Sequence, residues 1–120
     1  MKMTTGTRQV GGVTIVDISG RIVLGEETNK LRESVKNLVS QGKKNVVLDM
    51  KNVTMIDSSG LGALVAAHSS AKSSGATLRL CNLGSRTNEL LQVTRLLTVF
   101  EVSDSETEAV RAMSKSASAD

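Results

Sequence analysis

Asn45-Val46-Val47-Leu48-Asp49-Met50 is the stretch that most restricts the fold. It is short, rich in β-branched residues and apolar at successive positions, the pattern of a strand covered on both faces. Segments with helical stripes lie on either side of it. From Glu26 to Gln41, Leu31, Val35, Leu38 and Val39 recur at helical spacing. Glu26 and Glu27 favour the positive end of that helix dipole, and Gly42 supplies its stop. From Ser58 to Ser74, the residues Leu61, Leu64, Val65, His68 and Ala71 form a second stripe, closed by Gly75. A helix that feeds a two-sided strand implies a crossover connection and a parallel neighbour.

The remaining elements follow from turn and cap signals. Val10-Gly11-Gly12-Val13 reads as a two-residue hairpin turn, since paired glycines reach positive φ without strain. It joins strands near Thr7–Val10 and Val13–Ser19, with Gly20 as the end of the second and Gly25 as the next break. Alternation puts Val13, Ile15 and Asp17 on one face of that strand and Thr14, Val16 and Ile18 on the other. A strand Ala76–Leu83, a helix Ser85–Leu91 burying Leu90 and Leu91, and a strand Val99–Val102 come next. Ser105 and Glu108 match a capping box that opens a last helix, continued by Val110 and Met113. The order ββαβαβαβα predicts an α/β fold: a mixed, mostly parallel sheet with an N-terminal antiparallel hairpin and helices packed on it. With 120 residues the chain is read as a single domain, 1–113, followed by a small, polar tail, 114–120, expected to be disordered.

Composition removes several functions. Phe100 is the one aromatic residue, so the core must be aliphatic, and neither a base-stacking surface nor an aromatic cage is available. Lys and Arg number 15 against 12 Asp and Glu, a net charge of +3, and the longest basic cluster is Lys43-Lys44. That is no stripe for direct contact with nucleic acid. The lone Cys81 excludes an intramolecular disulfide and reads as a passive, reduced thiol. No run of about 18 apolar residues exists to span a membrane, and Met1–Gly6 lacks the apolar core of a signal peptide. The expected location is cytoplasmic.

Catalytic patterns are equally sparse. His68 is the only histidine and falls on the apolar stripe of its helix, where packing is the simpler role. Gly-x-Ser-x-Gly is absent, as is the phosphate-binding Gly-x-x-x-x-Gly-Lys-Ser/Thr loop. One His and one Cys do not make a conventional zinc site, and Gly60-Leu61-Gly62 is too short for a dinucleotide fingerprint. No catalytic residue, metal or cofactor is expected, and the chain is read as a non-enzyme. Met50 and Met55 are read as packing residues.

The segment Val53-Thr54-Met55-Ile56-Asp57-Ser58-Ser59-Gly60-Leu61-Gly62 joins the buried strand to the second helix. Asp57, Ser58 and Ser59 are all competent N-caps, so the cluster has a purely structural use. The same physics permits a functional one. A helix N-terminus tolerates an anion, and a phosphate there adds about −1.5 to −2 charge. Gly60 and Gly62 keep bulk low beside the two serines, which opens the backbone to a partner.

The run from Val46 through Asp57-Ser58-Ser59-Gly60-Leu61-Gly62 resembles the signature of the STAS family, the anti-sigma factor antagonists. The similarity extends to the opening hairpin, Gly20, the strand Leu78–Leu83, and Leu90-Leu91 followed by Leu96-Leu97-Thr98-Val99-Phe100. It implies partner switching. An antagonist of this kind binds an anti-sigma factor that is also a serine kinase of the histidine-kinase-like ATPase class, and so releases a sigma factor. The kinase phosphorylates the first serine of the loop, here Ser58, and the complex weakens until a phosphatase resets it. Asp57, Ser59, Gly60, Leu61 and Gly62 would shape the loop and contact the partner, and ATP would belong to the kinase. Such a chain is expected as a monomer or weak dimer. Many phosphorylated members carry an acidic residue where this chain has Val23, and Arg21, Glu26 and Glu27 are the charged residues around that edge. Two other readings remain: an unphosphorylated scaffold subunit of a signalling or transporter-associated complex, and a serine hydrolase using Ser58 and His68.

Overall fold

The computed structural model describes residues 3–118, without the side chains at 27 and 114–118. In chain order the elements are β1 (Thr4–Val10), β2 (Val13–Ile22), α1 (Glu26–Ser40), β3 (Asn45–Ile56) and α2 (Ser58–Ser73). They continue with β4 (Thr77–Cys81), α3 (Ser85–Val93), a 3-10 turn (Leu96–Thr98), β5 (Glu101–Ser103) and α4 (Glu106–Ser118). The five strands form one sheet in the order β1-β2-β3-β4-β5. β1 and β2 pair antiparallel through a turn whose Gly11 and Gly12 have φ of 52° and 81°. The other pairs are parallel.

Because β2 to β5 advance across the sheet in sequence order, crossovers of one hand put α1, α2 and α3 on the same face. Val16, Ile18 and Ile22 of β2, Leu48 of β3 and Leu80 of β4 are buried there against Leu31 and Val35, Leu64 and Ala67, and Leu91. The opposite face carries α4, whose Ala109 and Met113 cover Val13, Ile15, Val47 and Cys81. The predicted division of β2 into two apolar faces is thus what lets one strand serve both layers. The mixed α/β architecture predicted from element order is the one found. Phe100 is buried and meets His68 edge-on, with ring centroids 5.4 Å apart, so His68 is a packing residue.

Several boundaries differ from the sequence reading. Gly20 does not end β2. It sits inside the strand at φ 95°, between two register shifts against β3, and the strand resumes to Ile22. A glycine at a bulge looks like a terminator in sequence because both uses exploit positive φ. β3 runs on past Met50 to Ile56, since the polar Lys51, Asn52 and Thr54 are exposed at the end of the sheet. β4 stops at Cys81 rather than Leu83, because Asn82 turns into the left-handed region at φ 55°. Leu96–Thr98 form the 3-10 turn, which delays β5 to Glu101. Leu90 is half-buried while Leu91 is fully buried. Met55 is 47% exposed and is therefore not the packing residue expected. The Ser105 cap is made: its Oγ accepts the Glu108 N–H at 3.2 Å. The expected tail, 114–120, overlaps the last turns of α4 and beyond Ser118 lies outside the described residues. Among the described residues no helix is long and apolar enough to cross a membrane.

Candidate functional site

The C-terminal ends of β2 and β3 run side by side, with Ile22 opposite Ile56, and α2 starts directly after them. Three residues were competent to cap this helix, and Asp57 does so. Its backbone is extended, and its Oδ1 accepts the Gly60 N–H at 2.8 Å. Its Oδ2 accepts the Leu24 N–H at 3.0 Å, and its own N–H donates to the Ile22 carbonyl at 3.3 Å. One carboxylate therefore joins the β2–α1 loop to the first turn of α2. The Gly60 N–H first, then the Leu24 N–H, hold the Asp57 carboxyl below the usual carboxylate range.

Asp57 supplies the cap, so neither serine makes it. Ser58 is the first residue of α2 and is exposed, and Ser59 is half-buried. Gly62 is exposed one turn further along the same helix face, and nothing lies within 4 Å of where its Cβ would be. Gly60 and Leu61 face inward. Leu61 is 6% exposed. A Cβ on Gly60 would lie far inside contact distance of the Ile22 carbonyl oxygen, and 2.9 Å from both the Ile22 carbonyl carbon and Ile56 Cγ1. Glycine here is a packing requirement that brings the helix start down onto β2. The six residues singled out in sequence are thus contiguous across the cap and opening turns of α2, with Ser58 and Gly62 exposed, Ser59 half-buried, and Asp57, Gly60 and Leu61 as an inner frame.

One residue not singled out as a contact is tied to this turn: Leu24 is 76% exposed and held by the bond from its N–H to Asp57. Met55 is also exposed, near the end of β3, where it lines a groove against α3. In sequence Ile22-Val23-Leu24 is an apolar run ending a strand, and no periodic signal separates its buried member from its exposed one. Val23 is half-buried and Glu26 is exposed at the start of α1.

The arrangement offers no hydrolytic dyad. Ser58 and His68 are separated by nearly three helical turns, about 15 Å along the axis, and His68 is engaged with Phe100. On the α4 face, carboxylate oxygens of Asp17, Asp49 and Glu106 lie within 4.8 Å of one another. Arg8 answers that charge: its Nε is 2.6 Å from Asp17 Oδ2 and it also pairs with Glu106. The Arg8 hydrogen bonds hold Asp17 below the usual range. Burial, aided by the nearby carboxylates, pushes the Cys81 thiol up to about 12, so it stays protonated.

Comparison with known proteins bears on this site. Residues 5–109 match the family model described as the STAS domain. The chain is 25% identical over 100 residues to an anti-sigma F factor antagonist of Paenibacillus polymyxa, covering 82% of this chain and 85% of that protein. It is 34% identical over 73 residues to an anti-sigma-B factor antagonist of Bacillus subtilis, covering 61% of this chain and 66% of that one. A crystal structure of a candidate anti-sigma factor antagonist from Thermotoga maritima superposes with a TM-score of 0.82 at 23% identity, over 90% of this chain and 92% of the other. A match across most of the sheet and through the Asp57–Gly62 turn leaves one assignment: the chain belongs to the STAS domain family.

Proposed function

We propose that this protein is an anti-sigma factor antagonist that acts by partner switching and is turned off by phosphorylation of Ser58. It binds an anti-sigma factor serine kinase of the histidine-kinase-like ATPase class, in the cytoplasm, and thereby frees a sigma factor. It performs no chemistry itself: the kinase supplies ATP, and a phosphatase removes the phosphate. The observation that carries this reading is the division of labour at the start of α2. Asp57 caps the helix through its bond to the Gly60 N–H, and Ser58 stands exposed at the first position, with no hydrogen bond from its hydroxyl among the described residues. A phosphate on Ser58 leaves the cap in place and meets the positive end of the helix dipole. The scaffold is preserved while the surface changes sharply.

The partner would rest on Ser58, Ser59 and Gly62, with Leu24 as an apolar flank and Asp57, Gly60 and Leu61 as the frame that positions them. A dianion placed beside the Asp57 carboxylate, near the exposed Leu24, opposes a surface shaped for the bare serine. A tenfold loss of affinity takes only about 1.4 kcal/mol. Capture of partners from the source lysate with and without ATP, followed by intact-mass measurement of this chain, tests the reading. A kinase retained without ATP, and lost as Ser58 gains one phosphate, is the expected result. A stable complex with Ser58 unmodified under every condition would favour the scaffold role, for which the apolar Val23 in place of an acidic residue speaks.

A further inference from the structure

β3 outruns its neighbour. Its last pair with β4 is Asp49 with Cys81, yet it stays paired with β2 as far as Ile56. Asn82 causes the parting. Its left-handed backbone ends β4, and its side-chain amide donates to Asp49 Oδ1 at 3.1 Å. The same oxygen takes the Lys51 N–H at 3.0 Å. Beyond this knot, residues 52–56 have a strand on one side only among the described residues. Across from the open edge stands α3, and between them is a groove of about 500 Å³ lined by Val53, Met55, Ile56, Arg86, Leu90 and Val93.

An unpaired strand edge is a template for another strand, and a strand edge facing a helix is a geometry in which extended peptides add to a sheet. Five residues at about 3.3 Å each give about 16 Å of edge, room for four or five residues of extended chain. The walls mix apolar side chains with Thr54, Ser85, Thr87 and charged residues of α3, and the apolar ones are open: Val93 is 75% exposed and Met55 47%. Charge gives the groove polarity. Arg86 is exposed in the first turn of α3, whose cap Gly84 contributes no side chain. The ion pairs among the described residues use Arg8 and Arg79, leaving Arg86 without a carboxylate. Glu89 lies one turn along the same wall and disfavours a second acidic group there.

We propose that this groove binds a short extended peptide of another protein, with alternating apolar side chains and one carboxylate at Arg86, added as a strand along residues 52–56. The proposal does not depend on the phosphorylation of Ser58. It is tested with octapeptides selected from a random displayed library against the purified full chain. The enriched sequences should alternate apolar residues and carry one Asp or Glu, and the bound peptide should slow amide hydrogen exchange at 52–56. Val93→Lys and Arg86→Glu, both at exposed positions, should each weaken binding at least tenfold with unchanged melting temperature. Arg86→Glu should also redirect selection towards peptides carrying Lys or Arg. The proposal is overturned if no peptide is enriched, if protection falls on β1 or the Ser58 turn, or if both variants bind like the parent. It is also overturned if residues 52–56 are protected without peptide in a concentration-dependent dimer, which would make the occupant a second copy of the chain.

Discussion

Two glycines two residues apart in α2 should respond in opposite directions to the same substitution. Helix propensity alone favours alanine over glycine by about 0.5–1 kcal/mol. Gly62 has open space where the new Cβ would sit, so Gly62→Ala should collect that gain. At Gly60 the Cβ would be driven into the Ile22 carbonyl, with Ile56 Cγ1 close on another side. A carbonyl oxygen of a paired strand cannot rotate away as a side chain can. The first turn of α2 must lift instead, stretching the bond between the Gly60 N–H and Asp57. Overpacking of this kind costs about 1–3 kcal/mol and occasionally more. With backbone as the obstacle the upper end applies, and a net loss of about 2 kcal/mol remains after the propensity gain. The two variants should therefore differ by about 3 kcal/mol, or roughly 10 °C in melting temperature for a domain of this size. Urea titrations with unchanged slopes would measure it as a displacement of midpoints. Equal stability of Gly60→Ala and Gly62→Ala would refute the claim that glycine at 60 is imposed by contact with β2.

Three further outcomes follow from the site and the core. The depressed Asp57 carboxyl contributes stability that is present above its unfolded pKa, about 3.9, and lost as pH falls through the lower folded value. Asp57→Asn keeps a capping oxygen but should flatten this part of the acid limb in pH-dependent unfolding, and an unchanged limb would contradict it. Cys81, buried with its thiol pushed up to about 12, should react with a thiol reagent at pH 8 only after unfolding. Prompt labelling of the native protein would show the α4 layer to be open. Ser58→Asp places a carboxylate where the helix dipole favours it, so its unfolding free energy should match the parent's within about 1 kcal/mol. A large loss would mean that the hydroxyl serves the fold.

The sheet and its layers were legible wherever burial leaves a period in the sequence. The two apolar faces of β2, the stripe of α1 and the two-sided run of β3 all gave direct readings. The sequence misled where one residue type serves two geometries, as Gly20 did at a bulge and Asn82 did in ending a strand. The polar half of β3 was hidden because an exposed strand end carries no apolar alternation. At the site, the cluster Asp57–Gly62 was visible as residue types, but three competent caps left open which of them caps α2 until the Asp57 bonds assigned that role. Leu24 and Met55 were invisible as surface residues because only tertiary structure decides which member of an apolar run stays outside.

The most direct test is to prepare the chain with phosphoserine at position 58 and compare its affinity for the kinase with that of the bare protein, alongside the melting curves of both. Partner switching predicts at least a tenfold weaker complex and superimposable melting. Equal affinities would contradict the switch, and a phosphorylated chain that no longer folds would contradict the claim that Asp57 rather than Ser58 caps the helix.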